Sequence, residues 1–117
     1  MKIGLDLDGT VYGYPEFFKE FIPAMVSRGH QFFVTSAHGR DVWGDDCERL
    51  RALGIDPDMI SPDMMYLTSH TDLAKKGKQA DQLDFVFEDD PRVQLFTGTP
   101  VFALPEVGKK SYGFMRW

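Results

Sequence analysis

Five short apolar runs alternate with stretches of helical spacing along this chain, and that alternation leaves few folds open to it. The runs are Ile3 to Leu7, Gln31 to Thr35, Met64 to Thr68, Asp84 to Glu88 and Pro100 to Leu104. Each has the length and the β-branched or aromatic content of a strand, with turn-forming residues around it. Between them the spacing predicts helices from Pro15 up to a stop at Gly29, from Arg40 to Leu53, from Thr71 to Leu83 and, briefly, from Pro91 to Phe96. In the first helix Phe17, Phe18, Phe21, Ile22, Met25 and Val26 recur three and four apart, so one broad face should be buried, with a kink expected at Pro23. Val42, Trp43, Cys47, Leu50 and Leu53 do the same in the second. The third is polar and interrupted by Gly77, so few apolar contacts are expected of it. Ile55 to Asp63, with Pro57 and Pro62, reads as a loop, and the tail from Pro105 carries no clear pattern. Strands that alternate with helices build βαβ units, which put a parallel sheet between two helical layers. The expected class is therefore α/β, a Rossmann-like three-layer α/β/α fold with a mainly parallel five-stranded sheet.

At 117 residues the chain has room for one packed domain and little more, so any site must be built from the scaffold and its loops. Apolar residues at 43%, with ten Phe, exclude an intrinsically disordered chain. No apolar run approaches the ~20 residues of a membrane helix, so a soluble protein is expected. Cys47 is the lone cysteine, which rules out an internal disulfide and makes a cytoplasmic location the default expectation. Asp45, Asp46 and Glu48 surround it and disfavour a thiolate nucleophile. A net charge of −5 weighs against nonspecific binding along nucleic acid. It leaves room for a nucleotide or a nucleic-acid end as substrate, because a bound cation reverses the charge of a small site.

In parallel sheets ligands bind at the carboxyl ends of the strands, so the residues just beyond each strand belong together. After the first come Asp6, Asp8, Gly9 and Thr10, after the second Thr35 and Ser36, and at the fourth Glu88, Asp89 and Asp90. Hydroxyls and carboxylates thus gather at one edge from distant parts of the sequence. Asp6 and Asp8, two apart on a strand, would share a face and could seat a hard divalent cation. An ordinary polar turn would also use Asp and Gly. A calcium loop is excluded, since the spacing lacks the third acid and the closing glutamate.

The segment Asp6-Leu7-Asp8-Gly9-Thr10 resembles the first motif, D-x-D-G-T, of the haloacid-dehalogenase (HAD)-like phosphohydrolases. Thr35 after an apolar strand is similar to the second motif, and FVFEDDP at residues 85–91 to the fourth. The resemblance implies a phosphomonoester hydrolase with Mg²⁺ as cofactor. Asp6 would attack phosphorus and Asp8 would serve as general acid and then base. The cation would sit on the Asp6 carboxylate, the Asp8 backbone carbonyl and an acid of the fourth strand. That acid is Asp89 if Glu88-Asp89 is the motif's pair, with Asp90 left to cap the next helix; Asp89-Asp90 is the other choice of pair. Thr35, with Gly9, Thr10 and Ser36, would bind the phosphoryl group, and a lysine would balance its charge. Lys75, Lys76 and Lys78 compete for that place, and Lys78 is preferred here because its separation from the fourth-strand acids resembles the compact deoxyribonucleotidase branch.

His38 and Arg40 follow the second strand, where they could meet a leaving group or simply form a surface loop and a helix start. His30 and His70 lack partners at ligand spacing, and Lys109, Lys110 and Tyr112 read as a solvated tail. Too few residues separate the first two strands for a cap domain. An open site suits a bulky substrate, such as a nucleic-acid end or a phosphoprotein, or closure by a partner subunit; a nucleotide stays among the candidates. The alternative reading is a noncatalytic phosphate-binding or interaction module that keeps the same fold.

Overall fold

The structure, a computed structural model, describes residues 1–105; the tail lysines and Tyr112 lie outside the described residues. Five strands, β1 (Lys2–Leu5), β2 (Gln31–Val34), β3 (Ile60–Ser61), β4 (Phe85–Glu88) and β5 (Val101–Ala103), form one sheet in the order β3-β2-β1-β4-β5. Every pairing is parallel, with Leu5 opposite Val34 and Phe87, and the sheet is the expected Rossmann-like arrangement. Three α-helices flank it: α1 (Pro15–Val26), α2 (Trp43–Ala52) and α3 (Leu73–Ala80). No helix among the described residues is long and apolar enough to cross a membrane.

Alternation along the strands splits the apolar residues between the two faces. Ile3 and Leu5 of β1 and Phe32 and Val34 of β2 pack with Phe18 and Ile22 of α1 and Leu50 of α2. Val86 of β4 packs instead with Ala80 at the end of α3 and Leu83 in the turn beyond it, against Phe33 and Val101. The two clusters lie on opposite faces of the sheet. Gly4, between Ile3 and Leu5, is tightly enclosed: a Cβ there would come within 2.8 Å of Leu83 and 2.9 Å of Thr35.

Three details depart from the sequence reading. Strand β3 is Ile60–Ser61, paired with Phe32 and Phe33, and not Met64 to Thr68. Pro62, which has no amide hydrogen, ends it at once. The Met64 to Thr68 segment forms a loop whose carbonyls find partners off the sheet, Met64 with the Gln79 amide, Tyr66 with the Arg40 backbone N–H and Leu67 with that of Asp41. Helix α1 ends at Val26, short of the stop expected at Gly29, and contains Pro23 on its exposed side. Phe17, expected in the core, is 50% exposed, its ring stacked on Phe21 at 5.1 Å.

Helix α3 also packs more closely than its polarity suggested. The chain after β4 forms a tight helical segment, Pro91–Phe96, opened by Asp90, whose carboxylate accepts from the Arg92 amide as expected of a cap. This segment lies so close to α3 that a Cβ on Gly77 would run into the Phe96 carbonyl oxygen. Gly77→Ala gains about 1 kcal/mol of helix propensity, but here it meets backbone that cannot yield. The expected outcome in urea unfolding is a net loss of about 1–3 kcal/mol; a stabilised variant would show that α3 does not pack on this segment.

Candidate active site

The site begins where β1 ends. After Leu5 the chain donates once more to the sheet, Asp6 N to Phe87 O at 3.1 Å, and then coils into a single wide turn. Val11 N reaches Asp6 O at 3.3 Å and Tyr12 N reaches Leu7 O at 2.9 Å, while Gly9 takes a φ of +75°. Glycine is required at that angle and for a second reason: a Cβ would collide with the Asp89 carboxylate. The turn therefore lies directly against the end of β4. It also separates the two aspartates that strand alternation would have placed side by side. Asp6 is buried and points inward, whereas the Asp8 side chain is 65% exposed and points elsewhere.

Lys76 connects these strand ends. Its ammonium, carried on α3, donates to Asp6 Oδ1 at 2.9 Å and to Glu88 Oε2 and Oε1 at 3.0 and 3.2 Å. Thr10 Oγ1 donates to the other Asp6 oxygen at 3.0 Å, so both carboxylate oxygens are fixed. Glu88 in turn accepts the Asp89 and Asp90 amides. Sequence spacing pointed to Lys78, and the structure corrects this to Lys76. Two positions apart on a helix are about 200° apart around it, so when Lys76 faces the core Lys78 faces solvent.

Asp6, Glu88 and Asp89 each offer an oxygen within 4.8 Å of the others. Three carboxylates against one ammonium leave this buried pocket with excess negative charge, and the protonation equilibria follow. Burial and the nearby Asp6 charge, against the pull of Lys76, push Glu88 up to about 9. Burial raises Asp6 as well, opposed by Lys76. Burial works against the Lys76 ammonium, but Asp6 and Glu88 outweigh it and hold its pKa above the ordinary lysine value. A hard divalent cation fits this donor set in oxygen chemistry and in charge. The Asp8 carboxylate is not part of the cluster.

Thr35 and Ser36 follow β2 at the same edge and are both buried. The Thr35 hydroxyl has no hydrogen-bond partner among the described residues, which leaves a donor free. Ser36 Oγ accepts from the His38 backbone N–H at 3.0 Å. Arg40 is directed away, onto the Asp63 carbonyl at 3.0 Å. Cys47 is half-buried, and burial, opposed by Arg51, raises its thiol pKa, in keeping with an inert residue.

A second polar group adjoins the first. His38 Nε2 lies 2.7 Å from Asp8 Oδ2, and its Nδ1 lies 2.9 and 3.0 Å from the two Asp46 oxygens. The Tyr12 hydroxyl donates to Asp46 Oδ1 at 2.6 Å. Burial works against the imidazolium, but Asp46 and then Asp8 outweigh it and hold the His38 pKa above its usual value. Sequence reasoning weighed His38 but missed Asp46 and Tyr12. A signal was there: Asp46 lies three residues after Trp43 and four before Leu50, on the buried face of α2, where an unpaired acid would be costly. A cavity of about 350 Å³ bordered by Val26, His30, Gln31 and Met59 lies elsewhere, at the amino end of β2, and contains none of these groups.

The raised Glu88 pKa predicts how stability depends on pH. A carboxyl that holds its proton more tightly in the folded state contributes stability that is complete below the ordinary value near 4.5 and is lost as pH rises toward 9. Thermal or urea unfolding of the cation-free protein should show stability falling across that window. In Glu88→Gln the fall should be smaller by more than about 1 kcal/mol, and identical slopes would show that Glu88 is not a strained carboxyl.

The chain matches no family model, and neither the curated proteins nor the solved structures give a match to it.

Proposed function

We propose that this protein is a Mg²⁺-dependent phosphomonoester hydrolase of the HAD-like type. One observation carries the reading: Lys76 bridges Asp6 and Glu88 where β1 and β4 end, with Asp89 beside them. Those two strands flank the point where strand order reverses, the place where open parallel sheets take their ligands. The D-x-D-G-T resemblance at residues 6–10 agrees with it.

Asp6, Asp89 and the Asp8 backbone carbonyl would hold Mg²⁺, with Glu88 behind them setting Lys76 and the strand-end amides. When bound, the cation neutralises the phosphate and draws charge from the phosphoryl oxygens. An Asp6 oxygen, fixed by Thr10, attacks phosphorus as the bond to the leaving oxygen breaks, and Asp8 gives that oxygen its proton. Water then attacks the phosphorus of the aspartyl phosphate and passes its proton to Asp8. Phosphate leaves and the Asp6 carboxylate is restored. The free Thr35 hydroxyl, the Gly9 turn and Ser36 receive the phosphoryl oxygens, and Lys76 balances the charge that develops on them.

Between β1 and β2 the chain has room only for the Gly9 turn and α1, and no inserted domain covers the site there. Without a covering domain there, a phosphate at the end of a large substrate, a nucleic-acid end or a phosphoprotein, fits better than a small metabolite that needs enclosure; a nucleotide is the smaller candidate. With p-nitrophenyl phosphate and MgCl₂, Asp6→Asn should lose at least about a thousandfold in rate, and EDTA should abolish turnover. Lys76→Ala should cost at least about a hundredfold, while Lys78→Ala stays within twofold of wild type. Wild-type protein as inert as Asp6→Asn at high concentration would overturn the reading in favour of a noncatalytic phosphate-binding module. A screen of nucleotides, 3′- and 5′-phosphorylated oligonucleotides and phosphopeptides then identifies the substrate.

A further inference from the structure

We propose that His38, held by an Asp46 that Tyr12 holds in turn, is a positioning residue for Asp8 that fixes the carboxylate on the leaving-group side of the site. The inference rests on the hydrolase reading above. Asp8 stands on a turn next to a glycine, largely in solvent, and its carboxylate is bonded to the His38 ring at 2.7 Å. Left to itself, an exposed aspartate samples several rotamers. A general acid needs one, within hydrogen-bond reach of the oxygen it protonates.

The fixity comes from the far end of the chain of contacts. Asp46 is 5% exposed and is anchored on α2. Tyr12, the residue that closes the Asp6 turn, holds one of its oxygens, so the turn bearing Asp8 and the helix bearing Asp46 meet in one hydrogen-bond network. Both Asp46 oxygens engage His38 Nδ1, which sets the ring plane and aims Nε2 at Asp8. Ser36 fixes the backbone of the same residue by accepting the His38 N–H. A carboxylate that orients an imidazole, which in turn orients the reacting group, is a recurring arrangement of polar networks. Here the reacting group is itself a carboxylate, and the network turns it away from the buried acids and toward solvent.

Positioning of a general acid leaves a mark that depends on the leaving group. p-Nitrophenolate departs without a proton, whereas an alkoxide needs one. The test compares p-nitrophenyl phosphate with glycerol 2-phosphate, in wild type, His38→Ala, His38→Gln, Asp46→Asn and Tyr12→Phe. The expected result for His38→Ala is a loss of kcat/KM, which reports the step up to leaving-group departure, of about 10- to 100-fold on the alkyl ester and at most a few-fold on the nitrophenyl ester. His38→Gln, whose amide can still donate to Asp8, should recover part of the loss, and Asp46→Asn should resemble His38→Ala. Circular dichroism and melting temperature establish that each variant folds.

A readout without turnover stands beside this one. In cation-free protein, Asp8→Asn should shift the His38 ring nitrogen resonances, because Nε2 loses its carboxylate partner. Equal losses of kcat/KM on both esters, no loss on either, or unshifted His38 resonances would each overturn the positioning role while the hydrolase reading stands. Wild type inert on both esters would overturn the hydrolase reading and, with it, this inference.

Discussion

The ion pair between Lys76 and the two carboxylates of Asp6 and Glu88 is the contact on which the rest of the site depends. It joins three elements, β1, β4 and α3, that are brought together only in the folded chain. Burying two acids beside a half-buried third, near one base, is costly, and the raised pKa values of Asp6 and Glu88 express that cost. Packing elsewhere offsets it: Leu5, Phe18, Ile22 and Val34 are fully buried on one face of the sheet, and Val86 and Ala80 nearly so on the other. A site strained in this way favours a ligand that supplies positive charge, and so links stability to binding.

The turn after β1 shows how local chemistry prepares that site. Gly9 at positive φ allows the chain to coil against Asp89, and the same turn sends Asp6 inward and Asp8 outward. Two carboxylates that are neighbours in sequence thereby enter different surroundings, one among buried charges and the other on a histidine at the rim. Different environments are what allow two like groups to take different roles. The proposed division between nucleophile and acid rests on that asymmetry.

Much of the architecture could be read from the residues because it depends on short-range periodicity. Four of the five strands lie within a few residues of the apolar runs that mark them, the three α-helices lie within a few residues of their expected bounds, and Asp90 caps its helix as its place before Pro91 suggests. The β3 error has a different origin. Met64 to Thr68 is apolar enough for a strand, but the two positions beside β2 are taken by Ile60 and Ser61, and pairing is settled by neighbours in space. Phe17 has the spacing of a core residue and the exposure of a surface one, because the surface that would cover it belongs to the tertiary fold.

The sequence by itself determined the α/β class, the carboxyl-end location of the acids and hydroxyls, and the identity of Asp6, Glu88 and Asp89 as candidates. These follow from strand length, alternation and turn chemistry, all of which are local. Only the tertiary structure decided that Lys76 and not Lys78 faces the acids, that Asp8 parts from Asp6, and that Tyr12, Asp46 and His38 form one network. Each of those depends on the rotation of a helix about its axis or on the path of a turn. A shift of one or two residues in sequence reverses which way a side chain points, and the packing of the whole chain selects the direction.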